Sequence, residues 1–193
     1  MKRGLHKDNL LESGLALMYR HGFAATGVQH ITDASGVPKG SFYNYFKSKE
    51  DFALEALEYY VAGECEQLEA TLVNGKGSPL TRLRTHFKDW IQQLTHKGYV
   101  GGCFAGNLCQ ELADVSPTFR LAVDRAFQRI QRYLTTCLRE AQKAREISPQ
   151  ADVEELSAFL LNSWQGAVLR MKASGSDEPL RKFQHVVFDR VLR

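Results

Sequence analysis

No stretch of this chain approaches the roughly 18 consecutive apolar residues of a membrane-spanning helix. No apolar run follows the basic Met1-Lys2-Arg3 start, so nothing reads as a secretion signal. The expected location is the cytoplasm, with no membrane partner. Cysteine is sparse: Cys65, Cys103, Cys109 and Cys137 lie far apart, with neither metal-ligand pairing nor the framework of a secreted disulfide protein. They read as reduced thiols. His6, His21, His30, His86, His96 and His185 show no i, i+4 pairing and no His/Cys spacing, so neither a metal nor a cofactor is expected. Only 5 prolines interrupt 193 residues of which 44% are hydrophobic. That excludes a disordered chain and permits a substantial core, in one large domain or in two small ones sharing a helix.

The most informative segment present is Thr26 to Glu50, TGVQHITDASGVPKGSFYNYFKSKE. Thr26 with Gln29 fits a capping box, which predicts a short helix burying Val28 and Ile31. Ser35-Gly36-Val37-Pro38 ends that helix, and Pro38 opens the next. In the second helix the small residues Gly40 and Ser41 allow close approach to a phosphate backbone. Lys39, Tyr43 and Asn44 offer donors there, while Phe42 and Phe46 point to the core. Such a helix suits the major groove of DNA. Residues 1–50 carry a net charge of +3 and the remainder is neutral, so the positive charge sits on this reading head. Lys47 and Lys49 flank Ser48, the predicted cap of the following helix, where ammonium groups and a helix N-terminus can meet a phosphate.

Beyond residue 50 helical patterning is nearly continuous. One long helix is predicted from Ser48 to about Asn74, ending at Asn74-Gly75-Lys76-Gly77. Ser78-Pro79 starts another through Leu94, closed by Gly98, and a further one runs from near Gly102 to before Ser116-Pro117. The same start signal then opens a helix reaching about Arg145, and helices follow over 152–173 and 179–193. In the last two, Leu156, Phe159, Leu160, Trp164, Ala167, Val168, Met171, Phe183, Val187, Phe188 and Val191 recur at helical spacing. That is more apolar surface than one small bundle needs, and it suits a four-helix interface between two subunits, with a purely internal core as the alternative.

The run GVPKGSFYNYFKSKEDF, with Gly22-Phe23 and Thr26 upstream, resembles the TetR family of bacterial transcriptional regulators. The resemblance implies an all-α protein of about nine helices. A three-helix helix-turn-helix head over 1–47 would bind DNA, and a helical bundle over 48–193 would bind an effector and dimerise. The implied function is sequence-specific binding to a pseudo-palindromic operator on double-stranded DNA by a homodimeric repressor, not an enzyme. DNA contacts are expected from Thr26, Gln29, Lys39, Gly40, Ser41, Tyr43, Asn44, Tyr45, Lys47 and Lys49, with Tyr43 and Lys49 on phosphates.

The segment Val100 to Asp114, with Met171-Lys172 and Glu178-Pro179, is similar to the NemR-like branch of that family, which senses electrophiles through a cysteine matched here by Cys103. Gly101 and Gly102 turn the chain sharply, so Cys103 is expected in the first turn of a helix, where the helix dipole favours a thiolate. Lys172 falls where the branch has a lysine. Trp90, Phe104 and Asn107 are the further candidates for lining a small-molecule or electrophile site. Cys103 as a small buried filler stays open as the alternative. Two other classes compete: an enzyme with Cys103 as nucleophile, for which His96 is the nearby histidine in sequence and no motif speaks, and a helical adaptor, which leaves the basic reading helix unexplained.

Overall fold

A computed structural model describes residues 2–192 and the side chains of residues 6–192; the side chains of Lys2 and Arg3, counted in the basic head, and residue Arg193 lie outside the described ones. The described residues form nine α-helices and no strand, the all-α architecture expected. In chain order these are α1 (Lys2–His21), α2 (Val28–Ser35), α3 (Lys39–Phe42), α4 (Lys49–Leu68), α5 (Pro79–His96), α6 (Phe104–Leu112), α7 (Pro117–Lys143), α8 (Val153–Ser174) and α9 (Glu178–Val186). Wider π turns extend α4 over Glu69–Val73 and α9 over Val187–Val191. Among the described residues no helix is long and apolar enough to cross a membrane.

Two compact units result: residues up to Ala62 with Phe104–Ala126, and Gly63–Cys103 with Phe127–Arg193. Residues 1–47 are thus part of a larger compact body. Helices α1–α3 are too few to cover their own apolar faces, and α6 with the start of α7 completes that layer. The Phe23 ring, for example, meets Phe119 of α7 edge-on at 5.9 Å.

Local chemistry sets the helix ends. Gly36 adopts φ 67°, its N–H reaches the Asp33 carbonyl at 3.4 Å, and the Val37 N–H reaches Thr32 at 3.2 Å. That is a Schellman close, which needs a residue free to take the left-handed conformation. Ser48 caps α4 as expected, its hydroxyl accepting the Asp51 N–H at 3.1 Å. The Asp51 carboxylate accepts the Lys47 N–H at 2.9 Å in return. Asp152 caps α8 through the N–H groups of Glu154 and Glu155.

The capping box expected from Thr26 and Gln29 does not form. Gly27 occupies the cap, and its N–H donates to Nδ1 of His30 at 3.3 Å. Thr26 is buried, with its hydroxyl donating to the Gly22 carbonyl at 2.7 Å. Gln29 turns to Asp33 Oδ1 at 2.6 Å. A side chain that can satisfy a buried carbonyl is worth more inside the α1–α2 corner than at an exposed helix end.

The second unit is built on aromatic packing. The Phe87 ring lies 5.0 Å from Trp164 and 4.9 Å from Phe183, and Trp164 lies 5.3 Å from Phe183. Each such side chain contributes about 1.5–3 kcal/mol by leaving water. This core takes up much of the apolar surface that α8 and α9 offer for an interface. Leu160, Trp164, Ala167, Val168, Met171, Phe183, Val187 and Phe188 are all buried within the chain's own bundle. Phe159 and Leu169 on α8 and Val186 on α9 remain exposed.

Candidate nucleic-acid interface and sensor region

The reading head rests on an aromatic wedge. Phe42 lies 5.2 Å from Phe46 and 5.6 Å from Phe52, and Phe46 meets Phe52 edge-on at 4.9 Å. Gly14 of α1 makes room for it: a Cβ at that position would stand 2.3 Å from Phe52 Cζ. With Phe42 and Phe46 anchored inward, the intervening residues face outward. Helix α3 proper is only four residues long, and a helical turn through Tyr43–Tyr45 continues its course, with the Asn44 N–H on Ser41 and the Phe46 N–H on Phe42.

This arrangement exposes Gln29, Lys39, Gly40, Tyr43, Asn44 and Lys47 and leaves Ser41, Tyr45 and Lys49 half-buried, whereas Thr26 is buried. The Tyr43 ring stands edge-on to Phe42 at 5.4 Å with its surface 55% exposed, so the hydroxyl end is free to meet a partner. Lys49 has an internal task as well. Its ammonium donates to the Phe23 carbonyl at 3.0 Å and lies 4.1 Å from the centre of the Phe23 ring. The exposed set is one of donors and small residues, the inventory that phosphates and base edges require.

In the second unit, Gly101 and Gly102 take φ 89° and 85°, as their sharp turn requires. A Cβ on Gly102 would stand 2.7 Å from Val168 Cγ1 and 3.7 Å from Lys172 Cδ. The bare glycine therefore lets this turn pack on α8, and the Lys172 stem runs beside the residue preceding Cys103. Cys103 is buried and sits immediately before α6, not in its first turn as expected. Trp90 packs on the aromatic core with its buried Nε1–H lacking an acceptor, an unsatisfied donor of the kind a ligand oxygen can fill. Phe104 and Asn107 belong to the other compact unit, where Phe104 is buried edge-on to Tyr60 at 5.7 Å and Asn107 is half-buried. The expected effector residues are thus divided between the two units.

Residues 10–56 match the family of bacterial regulatory proteins designated tetR, and residues 79–187 match the tetracyclin repressor-like C-terminal domain. The chain belongs to the TetR family. It is 35% identical over 192 residues to the HTH-type transcriptional repressor DhaR of Mycobacterium sp. (strain GP1), covering 100% of this chain and 95% of that one. It is 30% identical over 174 residues to the HTH-type transcriptional repressor NemR of Escherichia coli (strain K12), covering 90% and 87%. The crystal structure of the reduced form of E. coli NemR superposes with a TM-score of 0.89 at 29% identity, covering 95% of each chain. The chain is accordingly a DNA-binding transcriptional regulator.

Sequence reasoning missed the residue that fixes the head from behind. Glu111, in the last turn of α6, accepts the backbone N–H groups of Phe23 and Ala24, each at 3.0 Å. A lone glutamate 88 positions away in sequence from its partner carries no local signal. The only trace was the Gly22-Phe23 pair itself, since Gly22, at φ 86°, would bring a Cβ to 2.9 Å from the Glu111 carboxylate.

Proposed function

We propose that the chain is a homodimeric repressor that binds a pseudo-palindromic operator and releases it when an electrophile or small ligand acts on the region of Cys103. The observation that carries the DNA reading is the exposure of Lys39, Gly40, Tyr43, Asn44 and Lys47 around the buried Phe42 and Phe46, with Gln29 exposed on α2, in a basic head. In this reading Lys39 and Asn44 contact base edges, while Tyr43, Ser41 and Lys47 contact phosphates and fix the register. Lys49 holds the corner at Phe23 and has ammonium protons left for a phosphate. Tyr45 supports the turn, and Thr26 acts from within, by tying down the α1–α2 connection.

Dimerisation follows from the α8 stripe Phe159, Asn162, Gly166, Leu169 and Ala173, which recurs at i, i+3, i+7 spacing, is exposed and carries no charge. With Val186 on α9 it gives a self-complementary face for a two-fold partner, and two heads then read two half-sites. A protein of this kind works on chromosomal DNA in the cytoplasm.

The sensor reading is supported by the Gly101-Gly102 turn, which brings Lys172 alongside, and by likeness to NemR. Cys103 is followed directly by α6, and the last turn of α6 carries Glu111, which holds the head. An adduct on the thiol would displace the start of α6, and its far end carries the displacement to Phe23 and Ala24. Selecting bound fragments from a random DNA pool gives the operator. Release is then measured on treatment with a quinone or N-ethylmaleimide for wild type, Cys103→Ser and Cys109→Ser. Release from wild type and Cys109→Ser but not from Cys103→Ser is expected. Release from Cys103→Ser equal to that of wild type removes Cys103 from the switch, and failure to enrich any sequence removes the operator reading.

A further inference from the structure

A groove of about 260 Å³ opens between α4 and α7, in the second compact unit and composed of residues other than those around Cys103. Its walls are Cys65 and Val73 from α4 and its π turn, and Arg129, Arg132, Tyr133 and Thr136 from α7. The α7 residues follow i, i+3, i+4, i+7 spacing, so two guanidinium groups and two hydroxyls share one face of a single helix.

The opposite wall needs a special device. At 100° per residue, Val73 would lie about 80° around a regular helix from Cys65. The π turn over Glu69–Val73 winds less per residue and returns Val73 to the face that Cys65 occupies. Such turns recur at functional sites, and this one has no part in the contacts of the DNA-reading head.

Chemically the groove is asymmetric. One wall is a thiol and an isopropyl group, and the other carries two cations with two hydroxyls. Burial pushes the Tyr133 phenol above its usual pKa, helped by Cys65, to which it is hydrogen-bonded, and by Glu69 at the start of the π turn, while Arg129 pulls it down. Tyr133 is therefore neutral at physiological pH and adds no negative charge to the wall. Arg132 adds a second guanidinium to the same wall, at an exposed position. Planar guanidinium groups pair with carboxylate and phosphoryl oxygens through charge-assisted hydrogen bonds. The volume falls below the roughly 300–1,000 Å³ of pockets for drug-sized ligands, so the occupant is small.

We propose that this groove binds a small organic anion, a carboxylate or phosphoryl group on a short apolar arm, as a second ligand site of the regulator. The anionic head lies on Arg129 and Arg132, beside the Tyr133 ring, the Thr136 hydroxyl stays on the Arg132 carbonyl at 2.9 Å, and the arm lies against Cys65 and Val73. Nothing in this assignment depends on the operator or on Cys103, and its test needs no DNA.

The test is the thermal midpoint of the full chain, titrated with sodium butyrate and, separately, with inorganic phosphate, at constant ionic strength set with chloride. Wild type is expected to show a saturable rise in midpoint with at least one of the two. Butyrate alone assigns a carboxylate ligand, and phosphate alone a phosphoryl ligand. Arg132 is exposed, so Arg132→Gln should leave the unliganded midpoint unchanged while raising the half-saturating concentration about tenfold or more. Thr136→Glu, also at an exposed helical position, places a carboxylate in the groove and should abolish saturation. Lys143→Gln removes a cation from the same helix outside the groove and should behave as wild type. A non-saturating response of wild type to both anions overturns the proposal. So does an equal loss of response in Lys143→Gln and Arg132→Gln, which would mark general charge screening.

Discussion

The carboxylate of Glu111 and the ammonium of Lys49 grip the same residue from opposite sides: Glu111 accepts the Phe23 N–H at 3.0 Å and Lys49 donates to the Phe23 carbonyl at 3.0 Å. The corner between α1 and α2 is thus held by two charges of opposite sign, one from the end of α6 and one from the start of α4. Because Ala24 also donates to Glu111, loss of that carboxylate frees two backbone groups at once. Glu111 is exposed, which lets water replace part of what is lost. Glu111→Ala should therefore cost only about 1 kcal/mol of stability. It should weaken operator binding with no change in the salt slope, since every phosphate contact is retained. Binding isotherms at several salt concentrations check this, and wild-type affinity in the variant would show that the head keeps its geometry without α6.

Lys47 and Lys49 are expected to separate in the same assay. Lys47 projects an exposed ammonium, so Lys47→Ala should lower the magnitude of the salt slope by about 0.9 and leave the thermal midpoint alone. Lys49→Ala removes both a hydrogen bond and a cation over the Phe23 ring. It should lower stability by about 1 kcal/mol as well as weaken binding. If both variants keep the wild-type midpoint, the internal role of Lys49 is discarded.

Helix boundaries were legible in the sequence wherever one residue type has a single structural use. Gly36 had to close α2, Ser48 capped α4, and Ser116-Pro117 opened α7. Legibility failed where one residue type has two. Thr26 could cap a helix or satisfy a buried carbonyl, and only the packed corner decides between them. The apolar positions of α8 match a subunit interface and a bundle core equally well by spacing, and the arrival of Phe87 and Phe183 beside Trp164 resolves the choice. The exposure of Lys39, Tyr43, Asn44 and Lys47 was legible because they lie close together in the chain, around the inward-facing Phe42 and Phe46. Glu111, and the groove between α4 and α7, join residues dozens of positions apart, and no local pattern announces them.

Gly14→Ala tests the wedge beneath the reading helix. Its added methyl would stand 2.3 Å from Phe52 Cζ and 3.0 Å from Ile31 Cγ2, and both side chains are fully buried. Neither is a flexible end able to swing into solvent, so the helix-favouring gain of alanine is outweighed by overpacking of about 1–3 kcal/mol. A lower thermal midpoint is expected, with operator affinity reduced because Phe42 and Phe46 share the wedge. A raised midpoint would mean that α1 and α4 yield at no cost.

The last prediction concerns pH, and it rests on the buried His86 and the half-buried Glu64, which work against each other. Burial pushes the His86 imidazole down from 6.5 to about 4. Below pH 6.5 the unfolded chain takes up a proton that the folded one refuses, so this group removes stability as pH falls from 6.5 to 4. Burial pushes the Glu64 carboxyl up from 4.5 to about 7, against the pull of Lys97. Its contribution is present in full below pH 4.5 and is lost as pH rises to 7. Between pH 4.5 and 6.5 the two slopes have opposite sign, each amounting to about 2 kcal/mol across the window, and they nearly cancel. Relative to wild type, His86→Leu should then lose stability as pH rises through this window, with only the Glu64 term left. Glu64→Gln should lose stability as pH falls, with only the His86 term left. Urea unfolding at half-unit steps from pH 4.5 to 7 measures both. Variant curves running parallel to the wild-type curve would show that neither group titrates abnormally, and curves tilting the same way would show that one sign is wrong.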